Sequence, residues 1–181
     1  MKPVNNLKTK VIIGIDPGAQ GAIAIYNGRT DEITVHKMPK KITPLKEILQ
    51  ENLNDQFVFL ERVSPWKGDI HTPGKMFGIN KMMENYTMLR MVIEEMDIPF
   101  VYTSPNTWQK TIKRKGESKE ARKRRFRDMA QKIYPTVRAT LWNADALLIM
   151  NYGRIMASYN LNWIWSHCPD HVKKKDLWPW K

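Results

Sequence analysis

Cysteine is almost absent: Cys168 is the only one in 181 residues. A single thiol cannot build an intramolecular disulfide framework and suits a reducing compartment. Long apolar runs are missing too. No stretch approaches the roughly 20 residues of a membrane span. The first ten residues carry Lys2, Lys8 and Lys10 without the apolar core of a signal peptide. These absences predict a soluble protein of the cytoplasm with no membrane partner. There are no internal repeats and no low-complexity linker, so the chain reads as one domain with a sizeable core. Acidic residues are scarce. Eighteen Asp and Glu stand against 30 Lys and Arg, a net charge of +12. Such an excess attracts polyanions and gains from counterion release on phosphates, so nucleic acid is the expected partner.

What is there begins with Val11-Ile12-Ile13-Gly14-Ile15-Asp16-Pro17-Gly18, then Gly21-Ala22-Ile23-Ala24-Ile25-Tyr26. Two β-branched apolar runs around a Pro-Gly turn predict buried strands at 11–16 and 21–26, with a third at about 32–38 after Asn27-Gly28. Asp16 stands where the first strand stops. An acid there is costly to bury unpaired and wants a cation, although capping the turn would also explain it. A phosphate-binding turn of the actin-like ATPase type starts similarly. That reading is disfavoured because such enzymes need a second, duplicated domain. Pro44 predicts a short helix to Leu53, and Phe57-Val58-Phe59-Leu60 a strand ending on Glu61. Residues 65–74, with Trp66, form a turn-rich loop. From about 75 to 96 apolar residues recur at three- and four-residue steps, six of them Met, which predicts a long helix with an adaptable face. A fifth strand is expected at 99–102.

Residues 113–127 hold nine basic groups against Glu117 and Glu120. Ser118 predicts an N-cap, with a basic helix running to Tyr134-Pro135. The last strong pattern, from Trp142 to about Ala157, is an apolar helix with Asp145 in its opening turn, where the helix dipole favours a carboxylate. His167, Cys168 and His171 lack the separated second pair of a structural zinc site.

Three scarce acids thus stand at three junctions in a β-β-β-α-β-α-β-α-α order. On Gly14-Ile15-Asp16-Pro17-Gly18, Phe59-Leu60-Glu61-Arg62-Val63 and Ala144-Asp145-Ala146-Leu147-Leu148-Ile149, the chain resembles the RuvC-like Holliday junction resolvases of the ribonuclease H-like fold. Phe77-Gly78 through Met96 and Thr103-Ser104-Pro105-Asn106-Thr107-Trp108-Gln109-Lys110 look most like members carried by bacteriophages. The resemblance implies an α/β fold with a five-stranded mixed sheet flanked by helices. It implies a nuclease domain at 1–157, followed by a Trp- and Lys-rich extension at 158–181. The implied activity is metal-dependent cleavage of branched DNA, most simply four-way junctions, by a homodimer. For a phage protein the site of action would be the host-cell cytoplasm.

Two Mg²⁺ (or Mn²⁺) ions about 4 Å apart would serve phosphodiester hydrolysis, and they need only a few hard oxygen ligands. By the family pattern Asp16 bridges both ions, Glu61 and Asp145 help hold one each, and Lys119 lies near the scissile phosphate. Lys110, Lys113, Arg114, Lys115, Lys119, Arg122, Arg124 and Arg125 are the expected phosphate contacts, and Trp66 could stack on an unpaired base. The departure is at Trp142, where many relatives carry an Asp or His. Three carboxylates suffice, or Asn143 donates its carbonyl oxygen as a ligand, or activity is impaired. The last case makes a junction-binding protein of the same fold the competing reading.

Overall fold

The structure, a computed structural model, describes residues 11–51, 56–63 and 73–159. Its sheet contains β1 (Val11–Asp16), β2 (Ala22–Asn27), β3 (Glu32–Lys37), β4 (Gln56–Glu61) and β5 (Phe100–Thr103) in the order β3-β2-β1-β4-β5. The β1–β2 and β2–β3 pairs are antiparallel, while β1–β4 and β4–β5 are parallel. Tight turns suffice for the first two pairs. The parallel half needs crossovers, and α2 (Pro73–Glu95) carries the chain from β4 to β5. α1 (Ile42–Gln50) precedes β4, and α3 (Pro105–Trp108), α4 (Lys119–Ile133) and α5 (Ala144–Tyr159) follow β5. The five-stranded mixed sheet with flanking helices is the architecture the sequence implied.

Strand alternation sorts the core into two layers. Val11, Ile13, Ile15, Val58 and Leu60 pack with Leu45, Leu49, Leu89, Val92 and Ile93 of α1 and α2. Ile12, Phe57, Phe59 and Val101 face the other way, against Phe126 and Ala130 of α4 and Ala146, Leu147 and Met150 of α5. On β1, Gly14 belongs to this second face, and only a glycine fits there. A Cβ at Gly14 would run into the Met150 backbone nitrogen and the Ala146 carbonyl oxygen. Gly153 does the reciprocal job, since a Cβ there would strike the Phe59 ring. The α5 backbone therefore lies directly on β1, and its first turn comes down beside the strand's end.

Some elements differ from the expectation. α1 starts at Ile42 with Lys41 as its N-cap, so Pro44 is the third helical residue rather than the opener. A first-turn N–H has no intrahelical acceptor, so Pro costs nothing there. α3 has only four residues and was not foreseen. The Ser104 hydroxyl accepts from the Thr107 N–H and starts it. α5 continues to Tyr159, two residues past the expected domain end. The rest of the C-terminal extension, with His167, Cys168 and His171, and the loop residue Trp66 lie outside the described residues.

α2 divides its apolar residues unevenly. Leu89 is completely buried in the core. Met76, Phe77 and Met91 are 50%, 75% and 61% exposed, so any partner surface must use these. The helix closes with Asp97 at φ 54 and Ile98 N–H donating to Ile93 O at 3.0 Å, a left-handed cap in which Asp stands in for the usual glycine. Among the described residues no helix is long and apolar enough to cross a membrane.

Candidate active site

Ile15 pairs with Leu60 in the parallel β1–β4 register, so Asp16 and Glu61 are the next step along the same sheet edge. Adjacent strands lie about 4.8 Å apart. By alternation Asp16 follows Ile12 and Gly14, and Glu61 follows Phe57 and Phe59, so both acids belong to the face covered by α4 and α5. The turn after β1 is wound around Asp16. Gly18 N–H donates to Asp16 Oδ1 at 3.0 Å, and Gly21 N–H donates to Gly18 O at 2.8 Å. A Cβ at Gly21 would collide with the Asp16 carbonyl, so the turn can close this tightly only with glycine. Asp16 does cap its turn, as the plain reading of the sequence allows, and it does more besides.

Asp145 in the first turn of α5 feels the Asp16 charge. Burial, and then the negative charge of Asp16, push the Asp145 carboxyl up to about 6, while Lys123 and Arg122 pull it back. Two acids are thus held close enough to oppose each other's ionisation, with two cations of α4 nearby. Lys123, one of the nine basic groups of 113–127, was not among the individual phosphate contacts expected from the sequence. Its signal was there: Lys119, Arg122, Lys123, Phe126 and Ala130 follow helical spacing, and the last two are buried in the core. That face of α4 leads toward the site, and Lys119 is its exposed first residue.

Glu61 is held from the side. The Trp108 indole N–H donates to Glu61 Oε1 at 2.9 Å, and Trp108 is 3% exposed, packed against Phe126. The one-turn helix α3 exists in the right place to deliver that indole. Among the described residues no three Asp, Glu, His or Cys side chains gather closely enough to hold an ion together. The structure brings Asp16 and Asp145 together and leaves Glu61 on the same edge, turned to Trp108. In its donors the set fits a hard divalent cation. It offers carboxylate oxygens, and a cation would offset the burial and the repulsion that raise Asp145.

Asn143, expected as an oxygen ligand, is committed elsewhere. Its Oδ1 accepts from Thr140 N–H at 2.7 Å, its Nδ2 donates to Arg138 O at 3.1 Å, and it is 3% exposed. Its carboxamide ties up the loop before α5, which is a structural task. Arg125, an expected phosphate contact, is likewise engaged within the chain. It forms a forked pair with Glu117 at 2.7 and 2.6 Å, largely shielded from solvent, and lies over the Phe126 ring. Arg125 holds the Glu117 carboxyl below its ordinary range, and the pair pins the 113–118 loop to α4. Lys110, Lys113, Arg114, Lys115, Lys119 and Arg124 are exposed, and Arg122 is half-buried.

No family model and no curated protein sequence matches this chain. Solved structures do. RuvC of T. thermophilus in complex with a Holliday junction substrate superposes with a TM-score of 0.55 at 16% identity, covering 82% of this chain and 94% of that one. A second Thermus thermophilus RuvC structure gives a TM-score of 0.51 at 17% identity, with coverage of 81% and 95%. The fold is RuvC-like. Nearly the whole RuvC chain is matched in both cases.

Proposed function

We propose that this protein is a divalent-metal-dependent endonuclease of branched DNA that resolves four-way junctions, of the type carried by bacteriophages. The observation that carries this reading is the opposed pair Asp16 and Asp145, with Lys123 and Arg122 beside it, at the end of the strands of a RuvC-like sheet. The structural neighbour bound to a Holliday junction supports the choice of substrate. Asp16, Glu61 and Asp145 would hold two Mg²⁺ or Mn²⁺ ions, which when bound make a water more acidic and stabilise the charge on the leaving oxygen. The chain's own contribution is positional. Trp108 fixes the rotation of Glu61, as an outer partner of a metal-ligating carboxylate does. Lys119, Arg122 and Lys123 supply positive charge for the phosphate, and the exposed bases of 110–124 draw the DNA in.

The test is cleavage of synthetic four-way, flap and linear DNA with Mg²⁺ or Mn²⁺. Junction nicking that vanishes in Asp16→Asn, while junction binding persists, is the expected result. Undiminished cleavage by that variant would overturn the metal-site assignment. A junction-binding protein without catalysis is the second reading, favoured by Trp142 and by the engaged Asn143. Binding with no cleavage under either metal would select it.

The basic helix makes a separate prediction. Arg122→Ala with Arg124→Ala should lower the slope of log affinity against log salt by about two, since roughly one counterion is released per phosphate contact. Arg125 is left alone because its loss would free Glu117. An unchanged slope would make this face merely solvated.

A two-fold substrate suits a two-fold enzyme. The exposed Met76, Phe77 and Met91 of α2 are the surface we assign to the dimer. Phe77→Glu, at an exposed site, should leave thermal melting intact and convert a dimer into a monomer by sedimentation. A wild-type chain that sediments as a monomer with and without DNA would exclude the assignment.

A further inference from the structure

A pocket of about 260 Å³ opens beside the candidate site, lined by Gln20 and Gly21 of the β1–β2 turn, Lys37 and Lys40 at and beyond the end of β3, and Trp142. Two of its lining residues are neighbours of the acid pair. Gly21 abuts the Asp16 carbonyl, and Trp142 precedes Asp145 by three residues. Lys37 Nζ stands 5.7 Å from the centre of the Trp142 ring. Neither Lys37 nor Lys40 has a part in the function argued above, and Trp142 enters it only as a missing ligand. Trp142 also lines a second groove of about 600 Å³ with Arg138 and Thr140, and the Thr140 hydroxyl is buried without a hydrogen-bond partner among the described residues.

The chemistry of the smaller pocket is specific. Two ammonium groups and an indole, with no carboxylate among the lining residues, suit a ligand that is both anionic and aromatic. Its volume falls just below the roughly 300–1,000 Å³ of pockets that enclose a whole small-molecule ligand. One base with its phosphate partly outside fits such a space, whereas a stacked duplex does not. Protein aromatics bind single-stranded nucleic acid by taking one base at a time onto a ring face, with basic groups following the backbone.

We propose that this pocket receives one unstacked nucleotide of the strand being cut, its base against Trp142 and its phosphate at Lys37 and Lys40. On this view Trp142, at the position expected for a fourth acidic ligand, has traded a metal contact for a nucleotide contact. The inference rests on the nuclease reading for the identity of the strand, and the test separates the two.

The probe is a synthetic four-way junction carrying 5-iododeoxyuridine at single positions near the crossover, bound by the full chain in EDTA. Irradiation is expected to cross-link Trp142, mapped by peptide mass spectrometry, from one position next to the crossover and from none within the arms. Lys37→Ala with Lys40→Ala, both at exposed sites, should weaken junction binding about tenfold and lower its salt slope by about one, with linear duplex binding unchanged. Trp142→Ala should lose about tenfold as well, and Trp142→Phe should recover it, because a ring face is what the base needs. The Phe variant also separates stacking from any loss of folding. Cross-links that map away from Trp142, or a double lysine variant with wild-type junction affinity and slope, would overturn the pocket. Junction cleavage without the cross-link would end this inference alone. The cross-link in a protein that cuts nothing would support the pocket and end the nuclease reading.

Discussion

Asp145→Asn should make the metal-free protein more stable at neutral pH and at least about a hundredfold less active. Burial and Asp16 raise the folded Asp145 carboxyl to about 6, whereas an unfolded Asp titrates near 3.9. Between roughly pH 4 and pH 6 the folded carboxyl keeps a proton that the unfolded one has released. Stability therefore falls as pH rises through that window and is level above it. The destabilisation at pH 7 is on the order of 2–3 kcal/mol, and an amide does not carry it. Melting curves from pH 4 to pH 8 should show wild type and variant together at the acid end and the variant ahead by several degrees at pH 7. Mg²⁺ should stabilise the wild type by about 1.4 kcal/mol for each tenfold excess over its dissociation constant, raising its melting temperature, and leave the variant where it was. The expected loss of cleavage is larger than the 10–100-fold that follows removal of an outer-shell partner, because a ligand itself is gone. Parallel melting profiles at every pH would show that Asp16 and Asp145 do not oppose each other.

The same substitution, Gly to Ala, should have opposite signs at two positions of this chain. At Gly14 the added methyl meets the backbone of α5 at Met150 and Ala146, which cannot turn aside as a side chain does. Overpacking typically costs about 1–3 kcal/mol, and against a helix backbone the upper end applies. That corresponds to a drop of roughly 6–12 °C for a chain of this size. At Gly78, exposed within α2, the methyl meets nothing within 4 Å, so Ala should gain about 0.5–1 kcal/mol from helix propensity. Gly14→Ala should also lose junction cleavage while still folded, because a lifted α5 carries Asp145 away from Asp16. Cleavage at the wild-type rate by folded Gly14→Ala would mean that the seating of α5 on β1 does not set the site.

The strands were legible because each reads locally: β-branched runs of the right length, each stopping on an acid or a turn. Asp16, Glu61 and Asp145 could be picked out for the same reason, since all three sit where a strand or helix changes state. What could not be read depends on partners far along the chain. Trp108 looks like one more core aromatic until its indole is found on Glu61, 47 positions away. Arg125 is one base in a basic run until Glu117 claims it, and Asn143 offers a ligand oxygen until the loop before α5 uses it. The Met-rich helix announces a broad apolar face, but only packing shows that Leu89 is spent on the core and Phe77 is not. α3 is too short for any periodicity to mark it.

The laying of α5 across β1 has a bearing on when the proposed active site can form. The acids come from opposite ends of the described chain, and the last of them emerges from the ribosome on the order of ten seconds after the first. A nascent or prematurely terminated chain that lacks α5 already owns the basic segment and two of the acids. It has no opposed pair, so on the proposed function cutting waits on completion of the fold. If the chain is the junction nuclease proposed above, synthesis order then acts as a safeguard that needs no inhibitor.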